Sequence, residues 1–309
     1  MAQLFPGCFE RRISAGPAEI FARTGGSGPA VLFLHGFPQT HAMWHRIAKP
    51  LMQEFTCVFA DLRGYGFSSC PPNEPGNLPY SKRAMAGDML AVMTAFGQGR
   101  FAVVGHDRGA RVAYRMALDH PEVVTALAVL DIVSTYDMWR NFTVALAMKT
   151  YHWLFLAQPF PLPEMLIEPN PAAYLDYTVA SWTKAKDLSA FDPDALAEYR
   201  LHYATPEHVH ATCNDYRAGQ TCDLAFDEAD RASGRKIRCP MLALWGEAGI
   251  PSAVEPGADI ESRPLAAWRQ WCLDLSGAAI DAGHFLPEEN PQATFDHLLP
   301  FLRRHVRTS

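Results

Sequence analysis

The chain reads as an α/β protein, with a mostly parallel sheet flanked by helices and a helical segment inserted before the last strands. Three observations predict this. Short apolar runs alternate with helical patterns over residues 1–133, strand signals vanish from 134 to 225, and the strand pattern then returns. Continuous apolar runs, rather than alternating ones, mark strands buried on both faces, as in parallel sheets whose crossovers are helices. Ala30 to Leu34 is the first such strand and ends in His35-Gly36-Phe37-Pro38. Thr56 to Ala60 is the next, ending at Asp61 and the turn Gly64-Tyr65-Gly66, and Lys82 to Phe96 follows as a helix. Phe101 to Val104 is a third strand, and a helical pattern runs from Arg111 to Leu118. Ala126 to Leu130 is a fourth, ending at Asp131. Between 134 and 225 aromatics and amphipathic stretches dominate, broken by Pro159, Pro161, Pro163, Pro169 and Pro171. Met241 to Trp245 and Ala279-Ile280 resume the sheet. The expected organisation is a core of residues 1–133 and 226–309 with a helical cap at 134–225.

Composition narrows the classes of function. At 309 residues and 49% hydrophobic content the chain can bury a large core. A net charge of −6 offers nothing for nucleic acid or an anionic membrane, so attraction for an anionic substrate has to be local. The seven cysteines are scattered with no CxxC pair, which argues against a disulfide framework or a structural zinc site. Reduced thiols and an N-terminus (Met1 to Gly7) without a basic-then-apolar signal fit a soluble, cytoplasmic protein. No metal or cofactor is expected. His35, His41, His45, His106 and His120 lack metal-ligand spacing and read as structural, while Asp61 and Arg63 read as residues that pin a loop.

The most informative stretch is Gly105-His106-Asp107-Arg108-Gly109, between an apolar strand and a helix. A Gly-x-nucleophile-x-Gly turn there projects its central side chain above the sheet edge. With Asp rather than Ser at the centre, a carboxylate can displace a leaving group from carbon and form an ester on the enzyme. Functional groups of open α/β sheets gather beyond the carboxyl ends of strands. Those ends carry His35-Gly36-Phe37, Asp107, Asp131 and Asp281-Ala282-Gly283-His284-Phe285. The order nucleophile, acid, histidine is that of an α/β-hydrolase. A competing acid position lies at Trp245-Gly246-Glu247-Ala248-Gly249, where the usual Asp is absent and Gly249 stands near its place. Asp131, directly at a strand end, is preferred over Glu247. His284 is then the base that activates water against the ester, held by Asp131. The backbone N–H groups of Phe37 and Arg108 are expected to form the oxyanion hole.

Several stretches together resemble the fluoroacetate (haloacetate) dehalogenases. They are His35 to Thr40, Gly105 to Arg111, Tyr151-His152-Trp153, Ala180-Ser181-Trp182-Thr183, Asp215 to Gly219 and Gly283 to Glu289. The likeness runs from Leu4-Phe5-Pro6-Gly7 nearly to the C-terminus. It implies Asp107 as nucleophile, Asp131 and His284 as the base pair, and Arg108 and Arg111 as a clamp for the substrate carboxylate. It further implies that His152, Trp153 and Tyr216 bind departing halide, with Trp182 as a pocket wall, and that the protein is a homodimer acting on a small anionic haloacid. On residue type alone His152, Trp153, Tyr216 and Trp182 fit ordinary packing, so the halide pocket rests on the resemblance. Epoxide hydrolases and haloalkane dehalogenases share an Asp nucleophile but often follow it with Trp, which suits neutral substrates. Arg108 argues against both. A non-catalytic carboxylate receptor would be expected to lack part of the triad, all of which is present.

Overall fold

The computed structural model describes residues 4–251 and 263–306. The first residues of the N-terminal stretch read above lie outside them. Eight strands form one sheet: β1 (Phe9–Ala15), β2 (Ala18–Gly25), β3 (Ala30–Leu34), β4 (Thr56–Ala60), β5 (Phe101–His106), β6 (Val124–Leu130), β7 (Met241–Gly246) and β8 (Leu275–Ile280). Their order is β1-β2-β4-β3-β5-β6-β7-β8. Only β2 runs against the rest, pairing antiparallel with β1 and β4. Every residue of β3, β5 and β7 is buried, which is why these segments are apolar without alternation.

The hairpin β1–β2 is absent from the sequence reading. Glu10, Arg11 and Arg12 are exposed on β1, the sheet edge, where charged side chains are tolerated and discourage pairing with other chains. Strand β5 also runs two residues past its apolar part, because Gly105 and His106 pair with Val129 and Leu130. The helix that follows begins at Asp107 rather than Arg111.

The core helices are α1 (His45–Leu51), α2 (Lys82–Ala95) and α3 (Asp107–Asp119). Between β6 and β7 lie α4 (Thr135–Arg140), α5 (Val144–Lys149), α6 (Tyr151–Leu156), α7 (Leu162–Ile167), α8 (Pro171–Trp182), α9 (Pro193–Tyr203), α10 (Pro206–Gln220) and α11 (Cys222–Ser233). Three of these open with Pro after an Asn170, Asp192 or Thr205 side chain that caps the first turn. A proline here starts a helix, since its missing N–H has no intrahelical partner in any case. Helix α11 crosses position 225 unbroken and ends at Gly234, where φ is +70°. Its Asp223 accepts from the Lys82 N–H, and its Asp227 from the Tyr114 hydroxyl, so it is tied to α2 and α3. Helices α12 (Arg263–Arg269), α13 (Leu286–Glu289) and α14 (Pro291–His305) complete the chain. Among the described residues no helix is long and apolar enough to cross a membrane, and the cysteines are free.

The loops read as structural are pinned as expected: Asp61 accepts from the backbone and ring of His41 (2.7 and 2.9 Å) and from the Phe67 N–H (2.9 Å). Arg63 forks onto Asp88. A second anchor is Glu288, buried under the strand ends. It accepts from Gln39, in the loop after β3, and from the Tyr199 hydroxyl of α9 at 3.0 Å. Burial raises its carboxyl from 4.5 to about 8. Because the folded state holds this proton and the unfolded chain releases it, stability falls as pH rises between those values. Glu288→Gln should therefore flatten the decline in Tm between about pH 4.5 and about 8. Parallel Tm–pH curves for the two proteins would refute this assignment.

Candidate active site

Asp107 opens α3 with φ of +45°, a left-handed conformation that costs a non-glycine residue on the order of 1–3 kcal/mol. The surrounding packing enforces it. A Cβ on Gly109 would lie 2.3 Å from the His35 carbonyl, and one on Gly105 would lie 2.6 Å from the Ala110 backbone. Helix and strand can meet this closely only with glycine on both sides of the turn. The Asp107 carboxylate is almost fully buried and accepts from the Phe37 N–H at Oδ1, 3.0 Å away. Its other oxygen faces His284, whose Nε2 is 3.9 Å distant and has no other partner. Burial works against the Asp107 charge, but His284, His106, Arg108 and Arg111 together hold its carboxyl below the usual range.

The far side of His284 meets Asp131, with Nδ1 2.6 Å from Oδ2. Asp131 ends β6 and also accepts the N–H groups of Gly246 and Ile250, each at 2.9 Å. Glu247 is instead largely exposed and pairs with Lys184 at 3.5 Å. Gly249 explains why the usual acid position is vacant. A Cβ there would sit 2.0 Å from Asp131 Oδ1, so no side chain fits beside the acid already in place. Lys149 of α5 steadies this loop by donating to the carbonyls of Ala248 and Gly249.

The two arginines are not equivalent. Arg108 is fully buried and commits Nε and Nη2 to Asp215 at 2.9 and 2.7 Å, leaving Nη1 without a partner. Lys82 and the Tyr65 hydroxyl also hold Asp215. Arg111 donates to the Thr135 hydroxyl at 3.1 Å, its Nε has no partner, and among the described residues no carboxylate forms an ion pair with it. Its guanidinium lies 4.5 Å from the centre of the Trp153 ring. Arg111 is therefore a buried cation without a dedicated counterion, and Asp107 is the carboxylate whose charge acts on it.

The remaining residues form an aromatic shell over Asp107. Trp182 spans the site, with its ring centre 4.3 Å from that of His152 and 5.4 Å from that of His284. Tyr216 stands edge-on to Phe37 and His152 at 5.4 and 5.6 Å, under the Arg108 guanidinium at 4.2 Å. Burial drives His152 well below its ordinary value, favouring the neutral ring, and drives the Tyr216 phenol well above its own. His152 Nδ1 and the Tyr216 hydroxyl are both buried without a partner. The residues expected to act in catalysis, carboxylate binding and halide binding thus lie together around Asp107. Asp215, Lys82 and Thr135 were missed. Asp215 lies inside a recognised stretch beside Tyr216, but Lys82 and Thr135 carry no local signal.

Comparison with known proteins follows the same lines. A family model described as alpha/beta hydrolase fold matches residues 29–291. A fluoroacetate dehalogenase from Burkholderia sp is 42% identical over 97% of this chain and 95% of its own. A soluble epoxide hydrolase from Corynebacterium sp. (strain C12) is 28% identical over 90% and 91%. Among solved structures, a candidate α/β hydrolase from Nostoc sp PCC 7120 superposes with a TM-score of 0.89 at 48% identity, covering 96% of this chain and 98% of that one. A candidate epoxide hydrolase from Pseudomonas aeruginosa gives 0.90 at 42%, covering 99% and 98%. An Asp-centred elbow, its His–Asp pair and 42% identity along nearly the whole chain place the protein in the haloacetate dehalogenase family of the α/β-hydrolase superfamily.

Proposed function

We propose that the protein is a hydrolytic dehalogenase that converts fluoroacetate and other short 2-haloacids to the 2-hydroxy acid and halide. One observation carries this reading: a buried carboxylate nucleophile faces a buried guanidinium, Arg111, that lacks its own counterion. A substrate carboxylate supplies that counterion through charge-assisted hydrogen bonds, with Arg108 Nη1 adding a second contact. The substrate Cα then faces Asp107. Asp107 Oδ2 attacks it, the carbon–halogen bond breaks with its electron pair going to the halide, and an ester forms. Halide departs toward His152, Trp153 and Tyr216. Fluoride holds its water tightly, so these N–H and O–H donors have to replace its hydration, at about 1.5–3 kcal/mol each for bonds to a charged partner.

The second step uses the other half of the site. The 3.9 Å between His284 Nε2 and Asp107 is too long for a direct hydrogen bond and suits an intervening water. His284 takes a proton from that water as it attacks the ester carbonyl, and Asp131 stabilises the imidazolium. Oδ1, already held by the Phe37 N–H, becomes the oxyanion, with the Arg108 N–H as the second donor. Neutral haloalkanes or epoxides would leave Arg111 buried and unpaired, which disfavours them as substrates. Exposed apolar side chains on the cap, among them Val144 (83%), Met148 (76%) and Met165 (57%), suit burial against a second copy of the chain.

Asp107→Asn should abolish fluoride release from fluoroacetate apart from slow recovery by deamidation. In a single turnover in heavy-oxygen water the label should enter Asp107 first, and label in product but never in Asp107 would refute the ester. His284→Asn should trap the ester as added mass on the Asp107 peptide, and no mass gain would count against His284 as the base. Arg111→Ala should raise KM for haloacetates by about 10–150-fold, the loss of one charged hydrogen-bonding partner; an unchanged KM would sink the clamp. Asp215→Asn leaves the buried Arg108 guanidinium without its counterion, while Lys82 keeps Asp223 at 3.6 Å, and should cost about 3–5 kcal/mol in urea unfolding. Met148→Glu with Met165→Glu should yield monomers in sedimentation, and an intact dimer would place the interface elsewhere.

A further inference from the structure

Fluoride leaves as a stable anion, so its departure calls for hydrogen-bond donors but no proton transfer. Tyr216 supplies a transferable proton as well. Its hydroxyl is buried without an acceptor, its ring lies under the Arg108 guanidinium at 4.2 Å, and the charge of Asp107 acts on it. His152 Nδ1 is a second unpartnered polar atom beside it. Such a site suits a small, hard leaving atom of either kind, fluorine or oxygen. An unstrained carbon–oxygen bond would expel an alkoxide far more basic than fluoride, whereas a three-membered ring releases its strain as the bond opens. Arg111 adds the condition that the molecule bear a carboxylate next to the reacting carbon.

We propose that the site also opens short epoxides that carry a carboxylate on the ring, the oxirane-2-carboxylates, and hydrolyses them to 2,3-dihydroxy acids. This rests on the reading of Asp107 as nucleophile and Arg111 as carboxylate partner. Asp107 Oδ2 forms a bond to the ring carbon bearing the carboxylate, and the bond from that carbon to the ring oxygen breaks with its electron pair staying on oxygen. The Tyr216 hydroxyl gives that oxygen its proton. The timing favours this transfer. Burial and the negative charge of Asp107 hold the Tyr216 proton on, and Arg108 opposes them. Esterification removes the Asp107 charge at the moment when the phenol has to ionise. Water then attacks the ester carbonyl and passes one proton through His284 to the departing hydroxyl. The second water proton, released as Asp107 returns to carboxylate, restores Tyr216. One water is consumed, and no oxidant or further co-reactant is needed.

The test incubates the full chain with oxirane-2-carboxylate, styrene oxide and fluoroacetate in parallel, with Asp107→Asn as blank, measuring the dihydroxy acid by mass spectrometry and fluoride by electrode. Dihydroxy acid above the blank, with styrene oxide untouched, is the expected result. Tyr216→Phe should reduce epoxide opening by about 10²–10⁴-fold, the usual contribution of a proton donor. It should reduce fluoride release at least about tenfold less, because only a hydrogen bond is lost there. Fluoride release without dihydroxy acid overturns the proposal, as does an equal effect of Tyr216→Phe on both substrates. A stable adduct on Asp107 without product also overturns it, showing inactivation rather than turnover. If fluoroacetate is inert too, the reading of Asp107 fails, and the epoxide proposal with it.

Discussion

On the proposed reading, the site has to bring one anion against another inside a buried pocket. At about 4 Å two like charges repel by about 4 kcal/mol at an effective dielectric of 20, and the desolvation of each adds to that. A surplus of positive charge has to be built in without the protein neutralising it first. Arg111 fits this condition: it is buried on the Trp153 ring, held by one hydroxyl, and has no carboxylate ion pair among the described residues. Arg108 does a different job, because Asp215 has already balanced it. It is a fixed group with one free terminal nitrogen, Nη1, and its rigidity comes from a carboxylate that Lys82 and Tyr65 hold in turn.

The same division between fixed framework and open valence runs through the rest of the pocket. Asp131 spends its lone pairs on two backbone N–H groups and one imidazole N–H, so the ring cannot rotate away from Asp107. His284 is fixed from behind as well, its N–H donating to the Trp182 carbonyl at 2.9 Å while Glu289 binds the N–H groups on either side. Among the buried polar atoms without partners in the described residues are His284 Nε2, Arg108 Nη1, Arg111 Nε, His152 Nδ1 and the Tyr216 hydroxyl. Unsatisfied polar atoms in a protein interior are costly. These five belong to residues of the site around Asp107.

Much of this was legible in the chain because the chemistry sits where the backbone leaves a strong local mark. The Gly-Asp-Gly turn after an apolar run, the aspartate at the end of β6 and the histidine after β8 are each short-range signals. The hairpin β1–β2 was not legible, since an edge strand rich in Glu and Arg has no apolar run to announce it. The boundary at 225 followed a change in composition, yet α11 continues through it because its acidic residues answer Lys82, Tyr114 and Arg115 on the core. The unequal arginines were invisible for a related reason. Arg108 and Arg111 are one helical turn apart and look alike, and only the tertiary partner of Arg108, more than a hundred residues away, distinguishes them.

The contact between Asp131 and Gly249 has a meaning for how such a site changes over descent. The strand ends of β6 and β7 offer two seats for the acid, and the space between them admits one carboxylate. Filling the second seat first forces a collision, and emptying the first seat first leaves the imidazole without its partner. A lineage moving the acid from one strand to the other has to cross one of these two defective intermediates. The choice of seat is therefore locked by sterics once it is made, and the glycine opposite the acid becomes as restricted as the acid itself.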